Sequence, residues 1–184
     1  ELSDSEVELQ YSHLLELPAK IEQILETVEP LRALAREFAK SNSVLFLGRN
    51  VGYPVALEGA LKLKELAYMH AEGFAGGELK HGPIALIEAG TPVIAIMPME
   101  KTLDEKMISN IQEVKARGAK IIAIAPEGVD VLGANHLIRI PETTPLLLPV
   151  LATVPLQVFA YEMSITRGND VDQPRNLAKS VTVE

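Results

Sequence analysis

The sequence predicts an α/β protein with three layers, in which helices cover both faces of a five-stranded parallel sheet. Short runs such as SVLFLG (43–48) and KIIAIA (120–125) are apolar throughout. Strands of a parallel sheet buried on both faces have this composition, without the polar–apolar alternation of half-exposed strands. Helical patterns separate the runs, and strands alternating with helices are typical of parallel sheets built from βαβ units.

Residues 1–40 have a helical pattern, with apolar residues such as Leu14, Ile21 and Leu25 recurring near a 3.6-residue period. Pro18 and Pro30 interrupt this pattern, so we expect two or three helices here. No turn-rich linker follows them. We interpret the segment as a connection that packs on the body of the protein or on a preceding domain.

The rest of the chain alternates between strands and helices. The predicted strands are 43–48, 70–75, 92–97, 120–125 and 136–140, and the predicted helices begin at Pro54 and span 102–117 and 145–167. Gly118 and Gly168 are typical helix stops. Ligands of such sheets bind beyond the carboxyl ends of the strands, so the turn 49–52 and the loop after Met97 should share one edge.

Composition excludes several classes of function. A net charge of −8 argues against nucleic acid, and the absence of cysteine excludes disulfides, thiol catalysis and thiolate metal sites. The four histidines form no paired metal motif, and no signal peptide or membrane-length apolar run is evident. We therefore expect a cytoplasmic protein with no metal, no cofactor, no nucleic acid and no membrane partner.

The helix that begins near Pro54 carries a row of charges. At 100° per residue Glu58, Lys62 and Glu65 share one face, and small apolar residues occupy the opposite face. His81 follows in the loop GELKHGP. These groups could move protons, although such a row is more often a solvated face with weak ion pairs, and a loop histidine is often an ordinary surface residue.

The last segment, 170–184, has no helical period. Tails of this kind are commonly disordered. The alternative is that the tail folds over the edge of the sheet, where its lone Lys179 could form an imine with a carbonyl substrate.

Three segments, LEGALKLKE, GELKHGP and DVDQPRNLAKSVTVE, resemble the glucosamine-6-phosphate synthase family, also called glutamine–fructose-6-phosphate aminotransferases (isomerising). The resemblance covers essentially the whole chain. It implies a homodimer whose chains carry a glutaminase domain and two sugar-isomerase (SIS) subdomains. Residues 1–40 would connect from the first subdomain, 41–168 would form the second, flavodoxin-like subdomain with strand order 2-1-3-4-5, and 169–184 would be an active-site tail.

The resemblance also implies a role for each matching residue. Glu65 corresponds to the carboxylate that moves a proton between C1 and C2 of the sugar, and Lys62 to a lysine that assists ring opening. Lys179 corresponds to the lysine that forms a Schiff base with fructose 6-phosphate, and Ala178 to a backbone contact with the sugar. His81 corresponds to a ring-opening histidine supplied by the neighbouring subunit.

One feature of the family is missing from this chain. The family holds the sugar phosphate in a loop rich in serine and threonine in its first SIS subdomain, whereas the turn 48–52 here contains no hydroxyl group. We therefore expect this chain to be inactive by itself. Three other interpretations remain open: a sugar-phosphate-binding module without turnover, a dimerisation scaffold, and a related sugar-phosphate deglycase.

Overall fold

The computed structural model of the protein describes residues 3–176 and contains one parallel sheet. Its strands are β1 (Ser43–Gly48), β2 (His70–Ala75), β3 (Pro92–Ile96), β4 (Lys120–Pro126) and β5 (His136–Ile140). Their order is β2-β1-β3-β4-β5, and every neighbouring pair is parallel. The predicted fold class and strand order are confirmed, and each predicted strand agrees with the observed one to within one residue.

Helices cover both faces of this sheet. The helices are α1 (Asp4–Glu26), α2 (Glu29–Phe38), α3 (Gly52–Ala67), α4 (Lys101–Lys115) and α5 (Leu148–Thr166), with two 3₁₀ helices at Gly76–His81 and Pro83–Leu86. Phe46 of β1 packs in a core with α1, α2, α3 and α5. Its neighbours Leu45 and Leu47 point to the opposite face and pack with α4. This alternation is the two-residue period of a strand, and it produces the three layers.

The first segment forms two helices, because Pro18 does not interrupt α1. The helix continues through this residue. Pro18 is exposed, and the carbonyl of Leu14, which loses its intrahelical donor there, belongs to a residue that is itself 49% exposed. Water can satisfy that carbonyl, so the proline is tolerated. Pro30 lies instead in the first turn of α2. There a proline costs no hydrogen bond.

The connection packs on the body of the protein. α1 buries Leu17 and Ile24, and α2 buries an apolar face that includes Leu34 and Phe38. The Arg32 guanidinium reaches from α2 to the buried carboxylate of Glu162 on α5, with 2.9 Å between Nη2 and Oε1. Breaking such a pair would leave a buried charge without a partner, which is costly.

The helix α5 corrects one expectation drawn from composition. Its 19 residues are long and apolar enough to cross a membrane, with a mean hydropathy of 1.3, and it is the one such helix among residues 3–176. It begins at Leu148, three residues later than predicted, with Pro149 in its first turn. More than half of the apolar stretch is buried. Leu156 and Phe159 lie in the core between α5, α3 and the sheet, so packing accounts for the apolar composition of this helix.

Candidate active site

The charged row on α3 forms a connected set of side chains. The Lys62 Nζ atom lies 2.7 Å from Oε2 of Glu65 and 3.8 Å from Oε1 of Glu58. About a quarter to a third of each side chain is exposed. The hydrogen bond to Glu65 raises the pKa of Lys62, and the neighbouring negative charges add to this effect although partial burial opposes it. Lys62 is therefore an ammonium at neutral pH and donates a hydrogen bond to Glu65.

Close packing holds α3 in place behind these charges. Gly59 allows this packing, because a Cβ atom at that position would lie 2.7 Å from Leu156 of α5 and 2.9 Å from the ring of Phe46. On the sheet side, a Cβ atom at Gly73 of β2 would lie 2.9 Å from the backbone of Ala56. The helix therefore cannot shift without displacing the core. A catalytic pair needs a rigid support of this kind.

The described part of the tail lies against the C-terminal end of α3. Tyr68 ends that helix in a left-handed conformation with φ of 54°. Its hydroxyl accepts a hydrogen bond from the Arg175 backbone N–H at 2.8 Å, and the Arg175 guanidinium lies 4.1 Å from the centre of its ring. Tyr68 thus anchors the tail one turn beyond Glu65. Nothing in the sequence pattern distinguishes Tyr68 from a core aromatic residue, so this contact was not predicted.

A groove of about 430 Å³ accompanies this contact. Its walls come from α2, α3, α5 and the tail, and they include Lys40, Tyr68, Arg167 and Arg175. Ala178 and Lys179, which the sequence analysis selected, lie outside the described residues. Their predicted roles therefore stay predictions.

His81 lies at the other end of the sheet from Glu65. It ends the 3₁₀ helix that follows β2, and its Nδ1 atom lies 2.7 Å from Oε2 of Glu78. Both side chains are about 70% exposed. The six residues of β2 separate this pair from the end of α3, a length of roughly 16–20 Å. The chain therefore does not bring His81 to its own Lys62–Glu65 pair.

The turn after β1 and the loop after β3 meet at the carboxyl edge of the sheet, as predicted. The side-chain amide of Asn50 donates to Oε1 of Glu100 at 2.9 Å. Asp104 accepts a hydrogen bond from the backbone N–H of Met99 at 3.1 Å. Burial raises the pKa of Asp104, while backbone hydrogen bonds from Met99 and Glu100 oppose that shift. The hydrogen bond between Asn50 and Glu100 thus joins the two loops.

Within residues 3–176, no cluster of three or more histidine, aspartate or glutamate side chains could hold a metal ion. The Lys62–Glu65 pair next to the anchored tail is the arrangement best suited to proton transfer, because it combines a carboxylate, an ammonium donor and a partly covered position.

The sequence is similar to those of several bacterial enzymes of one name. It is 64% identical over 169 residues, or 89% of this chain, to a glutamine–fructose-6-phosphate aminotransferase (isomerizing) of Streptomyces coelicolor. It is 62% identical over 97% of its length to the enzyme of the same name from Mycolicibacterium paratuberculosis. The chain spans only 28% and 30% of these two relatives.

The structure gives a consistent result. The C-terminal domain of a glucosamine-fructose-6-phosphate aminotransferase from Francisella tularensis superimposes with a TM-score of 0.88 at 36% identity, covering 94% of this chain and 49% of that one. The SIS domain family matches residues 37–167, which include the whole sheet and helices α3, α4 and α5. The chain therefore belongs to the SIS domain family.

Proposed function

We propose that this chain is the second SIS subdomain of an enzyme that converts fructose 6-phosphate and glutamine-derived ammonia into glucosamine 6-phosphate. The observation that carries the proposal is the Lys62–Glu65 pair, 2.7 Å apart, on the helix whose end anchors the tail. The names of the relatives support the choice of reaction.

In this proposal the tail supplies the amine. Lys179 attacks C2 of the open-chain ketose and releases water, which gives an imine. Arg175 is bonded to Tyr68, and the four residues from Arg175 to Lys179 span at most roughly 14 Å. That reach brings Lys179 within range of Glu65, and the backbone at Ala178 contacts the sugar.

Proton transfer is the task of the α3 pair. An imine at C2 acidifies the C–H bond at C1, and ammonia replaces the lysine at C2 before the proton moves. The Glu65 carboxylate then takes the proton from C1 and returns it to C2, which needs one base close to both carbons. Lys62, held as an ammonium by Glu65, donates a proton to the ring oxygen when the sugar opens.

His81 acts across a dimer interface in this proposal. Two observations support this role: His81 is exposed, and it lies far from the Lys62–Glu65 pair of its own chain. A residue that is donated to a neighbouring subunit needs both properties. Residues 1–40 connect from a first SIS subdomain that holds the phosphate, 41–168 form the second subdomain, and 169–184 are the active-site tail. The whole enzyme also carries a glutaminase domain, forms a homodimer and works in the cytoplasm.

The decisive experiment replaces Glu65 in the full-length enzyme. Glu65→Gln keeps the size and hydrogen bonding of the side chain but removes the base. Synthesis of glucosamine 6-phosphate should fall by roughly 10²–10⁴, while glutamine hydrolysis continues. A binding module, a scaffold or a deglycase would not show this loss of synthesis, so near-normal turnover in the variant would refute the proposal.

A second experiment concerns the 184-residue chain alone. It lacks the phosphate-binding subdomain, which supplies orientation and binding energy. Fructose 6-phosphate should therefore bind with a Kd in the millimolar range or weaker, which corresponds to a binding free energy no more favourable than about −4 kcal/mol. Ammonia-dependent synthesis should be undetectable. Micromolar binding in a calorimetric titration would contradict this assignment of the phosphate site.

A further inference from the structure

The residue that ends α3 has a backbone conformation that does not favour it. Tyr68 lies in the left-handed region, with φ of 54° and ψ of 36°. Helices that end in this conformation usually have glycine there, because a Cβ atom strains the backbone. A tyrosine is therefore unfavourable for the backbone alone. Its presence is explained by contacts of its side chain, which offset the strain.

Both polar contacts of the Tyr68 side chain are with one residue of the tail. Its hydroxyl oxygen accepts the hydrogen bond from the Arg175 backbone N–H, and the Arg175 guanidinium lies over its ring at the distance of a cation–π contact. The two residues are 107 positions apart. Tyr68 thus holds the main chain and the side chain of the tail at the same point.

The described tail is folded on both sides of this contact. Before it, the Asp170 carboxylate accepts hydrogen bonds from two backbone N–H groups, those of Asp172 at 2.9 Å and of the next residue at 3.3 Å. Aspartate forms such local turns readily. After it, Asn176 has a positive φ of 61°. The direction in which the chain leaves Arg175 is therefore set by local turns and by the contact with α3.

The start of the tail is held at the same end of α3. The backbone N–H of Asn169 donates to the carbonyl of Ser164 at 3.0 Å. The side-chain nitrogen of Asn169 lies 3.5 Å from the Leu66 carbonyl oxygen, and the Ser164 hydroxyl donates to that same oxygen at 2.8 Å. Leu66 precedes Tyr68 by two residues. The segment 169–175 is therefore a loop that is attached to the end of α3 at both of its ends.

We propose that Tyr68 is a positioning residue, which acts through Arg175 to direct the tail so that Lys179 reaches C2 of the sugar. This inference rests on the proposed function. A tail that was free at Arg175 would sample many directions, and few of them would place the amine near the carbonyl carbon. Holding the tail at one point raises that fraction. Tyr68 does not touch the sugar, and its hydroxyl group neither gains nor loses a proton.

The first test measures the contact without the reaction. Hydrogen exchange of the Arg175 amide is followed by NMR in the 184-residue chain and in its Tyr68→Phe variant. Phenylalanine keeps the ring but cannot accept the hydrogen bond, so this amide should exchange about threefold faster or more. The Tm and the exchange of the α3 amides should not change. Equal exchange of the Arg175 amide in the two proteins would overturn the proposal.

The second test measures imine formation in the full-length enzyme. Cyanoborohydride reduces an imine to a stable amine, so mass spectrometry of the tail peptide gives the rate at which fructose 6-phosphate is trapped on Lys179. Tyr68→Phe should slow trapping about fivefold, for the loss of one hydrogen bond. Tyr68→Leu should slow it about tenfold or more, because the cation–π contact is lost as well.

Steady-state kinetics separate positioning from a purely structural role. In both Tyr68 variants kcat for synthesis should fall with the trapping rate, whereas KM should change little, since the first SIS subdomain holds the phosphate. A purely structural role would lower stability and leave kcat of the folded enzyme unchanged. Tyr161→Phe is the matched control. Tyr161 is 46% exposed on α5, its hydroxyl has no hydrogen-bond partner within residues 3–176, and its variant should trap at the wild-type rate.

A double-variant cycle tests whether Tyr68 acts through Arg175. Arg175→Gln removes the cation, and Arg175→Lys keeps one and should retain most of the trapping rate. If the ring acts on this side chain, adding Arg175→Gln to Tyr68→Leu should slow trapping by less than about twofold further. Effects of the two substitutions that multiply fully would overturn the proposed route through Arg175.

Glu65→Gln keeps this inference distinguishable from the proposed function. It removes the base that acts after the imine has formed, so it should abolish synthesis while trapping on Lys179 continues. Wild-type trapping in Tyr68→Phe and Tyr68→Leu, together with lost synthesis in Glu65→Gln, would overturn the positioning role alone. If the wild-type enzyme traps no sugar on Lys179, the proposed function is wrong, and the positioning role fails with it.

Discussion

Two pairs of polar side chains in this molecule have the same local geometry but opposite surroundings. Lys62 and Glu65, like Glu78 and His81, are three residues apart on a helical turn and meet at 2.7 Å. The first pair lies on a long helix packed against the core and is mostly covered. The second lies on a six-residue 3₁₀ helix and is mostly exposed. The same contact is therefore rigidly positioned in one region and open to a partner in the other.

In the proposed function the first pair is complete within one chain, whereas the second contributes to the site of a neighbouring subunit. A covered pair on a packed helix keeps its geometry whether or not a ligand is bound. An exposed pair of this kind contributes little to stability, so a role for it depends on a partner that covers it. Substitutions in the two regions should therefore differ in their effects, most of all in the assembled enzyme.

The largest effect should appear in mixtures of two inactive full-length enzymes. One carries His81→Ala and the other Lys179→Ala. If His81 serves the neighbouring subunit, one of the two sites in each mixed dimer contains both intact residues. Random exchange should then restore roughly a quarter of wild-type activity, since half of the dimers are mixed. The measurement is synthase activity after subunit exchange.

A matched control uses His81→Ala mixed with a chain carrying both His81→Ala and Lys179→Ala, which can form no intact site. If the first mixture stays inactive although exchange is demonstrated by mass, His81 acts within its own chain. The exposed pair would then have no role in the site of the neighbouring subunit.

The sequence was sufficient for most of the fold, for identifiable physical reasons. Strands such as KIIAIA are apolar on both faces, and few structures other than a covered parallel sheet require this composition. Pro18 was predicted to interrupt the helix, but α1 continues through it. The free-energy cost of a proline within a helix depends on whether the carbonyl that loses its donor is exposed to water, and only the structure shows that exposure. The start of α5 was predicted three residues too early, because Pro149 lies in the first turn of the helix and not within it.

The site was less accessible to sequence reasoning. The helical period predicted that Glu58, Lys62 and Glu65 share a face, and the hydrogen bond between Lys62 and Glu65 confirms it. The period could not indicate that Tyr68 would hold Arg175, since that contact joins residues 107 positions apart. Local sequence patterns predict which residues share a face of a helix, whereas contacts between distant segments can be identified only from the structure.

A smaller effect should distinguish the supports of the two pairs. In Gly59→Ala, behind Lys62, the new methyl group lies 2.7 Å from Leu156 and 2.9 Å from Phe46. We expect a net loss of about 1–2 kcal/mol in the free energy of unfolding, because overpacking exceeds the gain in helix propensity. In Gly77→Ala, near His81, the nearest contact is 3.7 Å, and the change should stay within about 0.5 kcal/mol. Urea denaturation of both variants measures this difference. Equal changes in the free energy of unfolding for the two variants would mean that α3 is no more firmly supported than the 3₁₀ helix.

The smallest effect concerns the charge of Lys62 itself. Its pKa is raised above the ordinary value of 10.5, chiefly by the hydrogen bond to Glu65. Because the folded pKa lies above the unfolded one, the stabilisation is fully present below pH 10.5 and disappears as the pH rises through the folded value. Lys62→Met should therefore lower the free energy of unfolding by about 0.3–1 kcal/mol near pH 8, a modest amount because the pair is partly exposed. The difference between the variant and the wild type should shrink above pH 10.5, and added salt should reduce it.

Lys64→Met is the matched control, since Lys64 is exposed on the same helix and has no ion-pair partner within residues 3–176. If both variants show the same pH dependence, the Lys62–Glu65 contact does not stabilise the fold, and the Lys62–Glu65 and Glu78–His81 pairs would differ in exposure alone.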